Sequence, residues 1–114
     1  MDKLIKNIEP ESVFRMDKQV DYLPGQIVSK TLAQSGAVSL TIFAFDKGEE
    51  ISSHESDGDA MVTVLEGTGE VIVDGTAFTV HAGETIFMPA RKPHAVYAVE
   101  PFKMFLTVVF PQQS

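Results

Sequence analysis

The chain contains no cysteine among its 114 residues, which excludes disulfide bonds and metal sites built on thiolate ligands. It is also poor in basic residues: 9 lysines and arginines stand against 16 acidic residues, which gives a net charge of −7. A field of that sign repels phosphate backbones and anionic lipid headgroups. We therefore expect neither nucleic acid nor a membrane surface as a partner.

Long apolar runs are missing as well. None approaches the roughly 20 residues that span a bilayer, and the first residues, MDKLIKNIEPES, lack the apolar core and cleavage site of a signal peptide. These absences predict a cytoplasmic protein with no membrane segment. Sustained helical periodicity is absent after residue 35, and the segment PESVFRM favours a short helical turn at most.

Short strand-like segments make up most of the chain. Residues 26–32 alternate apolar with polar side chains, and six later runs are rich in β-branched and aromatic residues between Gly, Pro and Asp signals. These runs are AVSLTIFAF, AMVTVLE, EVIVDGTAFTV, ETIFMPA, HAVYAVE and FKMFLTVVF. Such a series predicts a small all-β sandwich or barrel. The pair Asp74-Gly75 predicts a type I′ hairpin turn, which needs positive φ at both central positions.

The length is that of one domain. We divide it into an N-terminal extension, 1–35, with a short strand that joins the barrel, and the barrel itself, 36–114. The acidic segment 46–59, DKGEEISSHESDGD, is interpreted as a solvated loop and strand entry.

Residues 48–67 resemble the first motif of the cupin superfamily. That motif runs Gly, five residues, His-x-His, three or four residues, Glu, six residues, Gly. Gly48, His54 and Gly67 stand at matching positions. The second histidine of the motif is replaced by Ser56, and its glutamate by Ala60.

Residues 83–98 resemble the second cupin motif, which runs Gly, five residues, Pro-x-Gly, two residues, His, three residues, Asn. Gly83, Pro89 and His94 match it, whereas Arg91 replaces the internal glycine and Ala98 the asparagine. The sequences of the strands and turns are similar to those of small single-domain bacterial cupins. The resemblance implies an all-β double-stranded β-helix, the jelly-roll β-barrel of the cupins.

The resemblance also implies a metal site of three histidines and one glutamate, of which His54 and His94 remain. Catalytic sites normally have at least three protein ligands. A divalent transition metal (Ni, Zn, Mn or Fe) would therefore need water, a bound ligand or a nearby side chain, and the candidate helpers are Ser56, Asp57 and Asp59. In the other interpretation the two imidazoles are a neutral pair that lines a pocket and binds a water or each other.

Strand alternation predicts the walls of an apolar pocket beside the histidines. The candidate pocket residues are Val62, Val64, Val96, Ala98, Met104 and Leu106. Arg91 stands at the lip of the barrel, where it either pairs with an acid of the 55–59 cluster or clamps a ligand carboxylate. The opposite parity places Met61, Thr63 and Leu65 on an outer face, which favours a homodimer.

Three functions follow as hypotheses. The first is a small-molecule-binding barrel in which His54 and His94 orient the ligand, with or without a metal. The second is a metal-dependent cupin enzyme of the dioxygenase or isomerase type, which the replaced ligands disfavour. The third is a non-catalytic dimeric scaffold or regulatory module, in which the barrel only supports an interaction face.

Overall fold

A computed structural model describes residues 4–112 and shows an almost entirely β-stranded chain. Within this range a 3-10 helix, Met16–Lys18, precedes nine strands. The strands are β1 (Ile27–Gln34), β2 (Val38–Phe45), β3 (Glu50–His54), β4 (Asp59–Glu66), β5 (Thr68–Val73), β6 (Thr76–His81), β7 (Thr85–Met88), β8 (His94–Tyr97) and β9 (Phe102–Val109). No helix within these residues is long and apolar enough to cross a membrane.

The strands form two antiparallel sheets. One has five strands in the order β1-β2-β9-β4-β7, and the other has four in the order β3-β8-β5-β6. The connections β1–β2 and β5–β6 stay within one sheet, and each of the others crosses to the opposite sheet. This arrangement is the jelly-roll barrel predicted from the sequence.

The main core lies between the two sheets, where both contribute buried aliphatic side chains. Val62, Val64 and Met104 come from the five-stranded sheet, and Val71 and Val96 come from the four-stranded one. Phe45 and Phe102 stack in the same cluster, with ring centroids 4.7 Å apart. Burial of each such side chain contributes about 1.5–3 kcal/mol, so this cluster stabilises the contact between the sheets.

A second hydrophobic cluster covers part of the outer face of the five-stranded sheet. Ile42 and Ala44 alternate with inward-facing neighbours and therefore point away from the main core, where they pack with Val20 and Leu32. The N-terminal segment 4–26 supplies the cover. Its backbone also contacts the edge strand β1, because the Lys6 N–H donates a hydrogen bond to the Leu32 carbonyl at 2.7 Å.

A buried lysine anchors that segment to the sheet. Lys103 points outward from β9, is 5% exposed, and donates from Nζ to the Asp17 carbonyl at 2.8 Å. The same ammonium lies 3.9 Å from a Glu66 carboxylate oxygen and 5.0 Å from the centroid of the Tyr22 ring. The Tyr22 hydroxyl donates to Glu66 at 2.6 Å. These polar contacts join the N-terminal segment to β4 and β9.

The structure confirms most of the predicted strands. Residues 26–32 lie largely in β1, and each of the six later runs contains its expected strands. Asp74 and Gly75 have φ angles of 50° and 84°, as a type I′ turn requires. Strand β3 falls inside the acidic segment 46–59, where we expected mainly a loop. The division of the chain at residue 35 stays a prediction.

Candidate functional site at the barrel mouth

The two motif histidines are direct neighbours across two strands. His54, at the end of β3, pairs in register with His94, at the start of β8. Their ring centroids are 4.3 Å apart with an interplanar angle of 64°. A register shift in β3 allows Ile51 and His54, three residues apart, to pair with Val96 and His94, which lie on one face of β8. The structure therefore brings together the two side chains that the motifs single out.

One ring nitrogen of each histidine bonds to the backbone carbonyl two residues earlier in the chain. His54 Nδ1 lies 3.0 Å from the Ser52 carbonyl oxygen, and His94 Nδ1 lies 3.2 Å from the Lys92 carbonyl oxygen. A carbonyl oxygen only accepts, so both Nδ1 atoms carry the proton. In the neutral rings the lone pair is then on Nε2. Nε2 is therefore the free acceptor of each ring.

The two imidazoles differ in exposure. His94 is 8% exposed, whereas His54 is open to solvent. Burial lowers the pKa of His94; the bond from its Nδ1–H to the Lys92 carbonyl opposes this shift, and proximity to His54 adds to it. His94 is consequently neutral at pH 7 and available as a hydrogen-bond acceptor.

Two of the three candidate helpers already serve in loop contacts. The Ser56 hydroxyl accepts a hydrogen bond from the Gly58 N–H at 3.1 Å. An Asp59 carboxylate oxygen accepts one from the Ala90 N–H at 2.8 Å. Asp57 is exposed beside them. No group of three or more His, Asp or Glu side chains able to hold a metal occurs among residues 4–112.

Arg91 occupies the lip between two shallow clefts. It has φ 63°, a left-handed conformation where the cupin motif has glycine, and its N–H donates to the Ser56 carbonyl at 2.8 Å. Asp57 lines both clefts with it, while Glu55 lines one and Asp59 the other. Of the two alternatives for Arg91, the ion pair with the 55–59 cluster is not formed, because within the described chain no carboxylate lies within 4.0 Å of the guanidinium.

The predicted pocket walls lie in the packed core. Val62, Val64 and Ala98 have no surface exposed to a water-sized sphere, and Val96 and Met104 are almost as enclosed. Leu106 is half-buried and packs against the same cluster. Side chains pack closely at this depth, and the two clefts lined by Arg91 include neither His54 nor His94. A ligand pocket among these apolar residues stays a prediction.

Comparisons with known proteins establish the family. The family model described as "Cupin domain" matches residues 41–110, and the chain belongs to this family. A conserved protein of unknown function from Streptococcus pyogenes is 45% identical, with a TM-score of 0.95 over 98% of both chains. A cupin superfamily protein from Desulfitobacterium hafniense is 27% identical, with a TM-score of 0.89 over 94% of this chain and 98% of that one.

More distant neighbours show the fold alone. A salicylate 1,2-dioxygenase from Pseudaminobacter salicylatoxidans is 18% identical, with a TM-score of 0.68 over 76% of this chain and 27% of that one. A comparison with curated proteins returned no match. Transition metals are common in cupins, but the described residues of this chain supply a donor pair rather than a complete metal centre.

Proposed function

We propose that the protein binds a small organic molecule at the mouth of the barrel, oriented by His54 and His94. One observation carries the proposal: both Nδ1 atoms donate to backbone carbonyls, which leaves Nε2 as the free acceptor of each ring, and the ring centroids are 4.3 Å apart. Fixing one ring nitrogen sets both the tautomer and the ring orientation. A pair that served only for packing would not need both rings held in the same sense.

The residues present do not fit the full cupin metal centre. Ser56 replaces the second histidine and already bonds to its own loop, and Ala60 offers no donor atom. Two imidazoles fall short of the three protein ligands of a catalytic site. A metal-dependent step therefore has no complete donor set here. A divalent transition metal would be held here only if water or the organic ligand supplied the remaining donors.

The surroundings indicate the chemistry of the ligand. Nε2 accepts a hydrogen bond in an imidazole whose proton is on Nδ1, so the pair suits a molecule with hydroxyl or amino donors. Arg91 adds a guanidinium without an ion pair among the described residues, which suits a carboxylate. Asp57 and Glu55 line the same cleft as Arg91 and favour a positive group nearby. A small hydroxy- or amino-carboxylic acid combines these features.

The test is a binding screen read at the histidines. Untagged protein labelled with ¹⁵N-histidine is titrated with a panel of small hydroxy- and amino-carboxylic acids, and separately with Zn²⁺ and Ni²⁺. We expect the Nε2 resonances of His54 and His94 to move with at least one acid. His81, which is exposed and paired with Glu84, is the internal control and should not move.

Variants separate specific binding from loose association. His54→Ala should abolish the shift at His94 and the heat measured by calorimetry, while His81→Ala should leave both intact. Zinc or nickel taken up stoichiometrically in the absence of an organic acid would contradict the incomplete donor set. A panel that moves no histidine, or binding that survives His54→Ala, would overturn the proposal.

A further inference from the structure

Strand β6 is a sheet edge that lacks the usual protection. Natural edge strands avoid unwanted pairing by being short, bulged, charged or covered. Of the four edge strands, β1 is partly covered, since the Lys6 N–H donates to the Leu32 carbonyl, β7 has four residues, and β3 has a register shift. Strand β6 pairs with β5 without a shift, and its six residues are TAFTVH, which include no Lys, Arg, Asp, Glu or Pro.

The free edge of β6 presents backbone groups without partners. The two-residue turn between β5 and β6 makes Val73 and Thr76 the hydrogen-bonded pair that closes the hairpin. Bonded and non-bonded pairs alternate along an antiparallel ladder, so Ala77 and Thr79 direct their N–H and C=O groups away from β5. Among residues 4–112 no hydrogen bond reaches these four groups, and both residues are exposed. The edge is therefore open to an added strand.

A small cleft of about 200 Å³ lies along this edge, between β6 and β7. Its lining residues are Phe78, Thr79, Val80, Glu84, Thr85 and Ile86. Phe78 is 43% exposed and gives the cleft an apolar surface. Small-molecule pockets begin at roughly 300 Å³, so this space suits one side chain of a polypeptide better than a separate molecule. At its end the edge is closed, because the His81 N–H donates to the Glu84 carboxylate at 2.8 Å.

The charge around this edge favours a basic partner. Residues 48–90 contain nine acidic residues and no lysine or arginine. Glu70 pairs in register with Thr79, and both point to the outer face because their neighbours Val71 and Val80 lie in the main core. Within the described part of the chain neither Glu70 nor Glu84 pairs with a lysine or arginine. A second copy would bring the same acidic groups to this edge and be repelled.

We propose that β6 is a docking edge for another protein, which adds an extended segment of alternating basic and apolar residues as a fifth strand of this sheet. Strand addition takes its affinity from main-chain hydrogen bonds, here at Ala77 and Thr79, and its specificity from alternate side chains. Successive side chains point to opposite faces. The basic ones extend over Thr79 towards the Glu70 carboxylate, and an apolar one enters the cleft at Phe78. This edge shares no residue with the barrel mouth and is independent of the ligand proposed there.

The first experiment measures amide hydrogen exchange by NMR with the hexapeptide RVRVRV, blocked at both ends, as the probe. The peptide should slow exchange at Ala77 and Thr79 at least ~10-fold, because each amide then exchanges only after the added strand leaves. The amides of Phe78 and Val80 already face β5 and should keep their rates. The peptide RPRPRP has the same charge but lacks alternate N–H groups, and EVEVEV has the opposite charge; neither should slow Ala77 or Thr79.

The second experiment compares two variants with the same net charge. Thr79→Lys gives β6 the lysine that protects natural edges and should raise the dissociation constant of RVRVRV at least ~10-fold, since like charges then meet at the added strand. Ser52→Lys, at an exposed position on β3 at the opposite edge of the same sheet, is the matched control and should change the constant less than ~3-fold, the effect of one distant charge. Circular dichroism of each variant reports that the barrel remains folded.

Four outcomes would overturn the proposal. Binding of RVRVRV without slower exchange at Ala77 and Thr79, or equal weakening in Thr79→Lys and Ser52→Lys, would mean attraction by charge alone. Slow exchange at Ala77 and Thr79 in the protein without peptide would mean that a second copy already covers the edge. The absence of any binding at millimolar peptide would exclude a basic extended segment as the partner.

Discussion

Replacing Gly67 by alanine should destabilise the barrel more than the same change at another glycine of similar backbone conformation. Gly67 lies between β4 and β5, where the chain crosses from one sheet to the other. Its φ is 77°, and a Cβ built there would clash with the Pro101 carbonyl oxygen and lie 2.9 Å from the Phe102 Cβ. The neighbouring backbone, rather than a flexible side chain, would have to move.

The magnitude follows from two separable costs. A left-handed conformation costs an alanine about 1–2 kcal/mol relative to glycine, partly offset by the smaller entropy of the unfolded alanine chain. Forcing a methyl group into a packed site adds about 1–3 kcal/mol. Gly75 provides the control, because its φ is 84° and no atom lies within 4 Å of the added Cβ. We expect losses of about 2–4 kcal/mol for Gly67→Ala and about 1 kcal/mol for Gly75→Ala.

Urea denaturation measures the loss of unfolding free energy in both variants. The protein concentration is held constant, because association would add to the apparent stability. A loss of about 3 kcal/mol is a large share of the 5–15 kcal/mol typical of a domain. Equal losses for the two variants would refute the steric argument, since they share the left-handed conformation and differ in the space available. A change in the slope of unfolding with urea would show instead that the denatured state had changed.

Two further predictions concern buried polar groups. Tyr22→Phe removes the hydroxyl that donates to Glu66 at 2.6 Å, and should cost about 1–2 kcal/mol in urea denaturation at pH 7. Burial, reinforced by Glu66, raises the pKa of Tyr22, so as the pH rises the hydroxyl loses its proton in the unfolded chain before it does in the folded one. The stability of the wild-type protein should therefore fall above about pH 10. A similar fall in Tyr22→Phe would show that Tyr22 is not its source. For His94 the pH dependence of stability has the opposite direction, because burial lowers the pKa of this side chain. The unfolded chain takes up a proton on His94 near pH 6.5, whereas the folded chain takes it up only at lower pH. Stability measured in EDTA should therefore drop as the pH falls below about 6.5. His94→Gln should show a smaller drop between pH 7 and 5, and an unchanged drop would exclude His94 as its source.

Local sequence patterns were sufficient for most of the fold, because one face of each strand is buried and alternation records that fact. Strand β3 was not predicted, because its sequence does not alternate between apolar and polar residues. Its sequence EISSH has one aliphatic residue, and its register shift brings Ile51 and His54 to one face at a spacing of three. Simple alternation would place them on opposite faces.

The candidate site depended on contacts without a local signal. The cupin motifs indicate that His54 and His94 meet, but the acceptors that fix their Nδ1 protons are backbone carbonyls, which any residue supplies. Which residues of the outer sheet face are covered also depends on a distant part of the chain. Met61 and Leu65 have the same parity, yet Leu65 packs in the cluster covered by the N-terminal segment, whereas Met61 remains exposed.

The motif positions of the chain lie on different sheets. His54 and His94 are cross-strand neighbours on the four-stranded sheet, fixed by register and by the carbonyls of Ser52 and Lys92. Ala60, where the motif has glutamate, lies on the other sheet and is buried in the main core. A carboxylate there would lose its hydration and would need a cation or hydrogen-bond donors in return. Without them, alanine lets Val108, its cross-strand neighbour, pack closely. The interior at Ala60 is therefore packed with apolar side chains, whereas His54 lies at the surface beside His94.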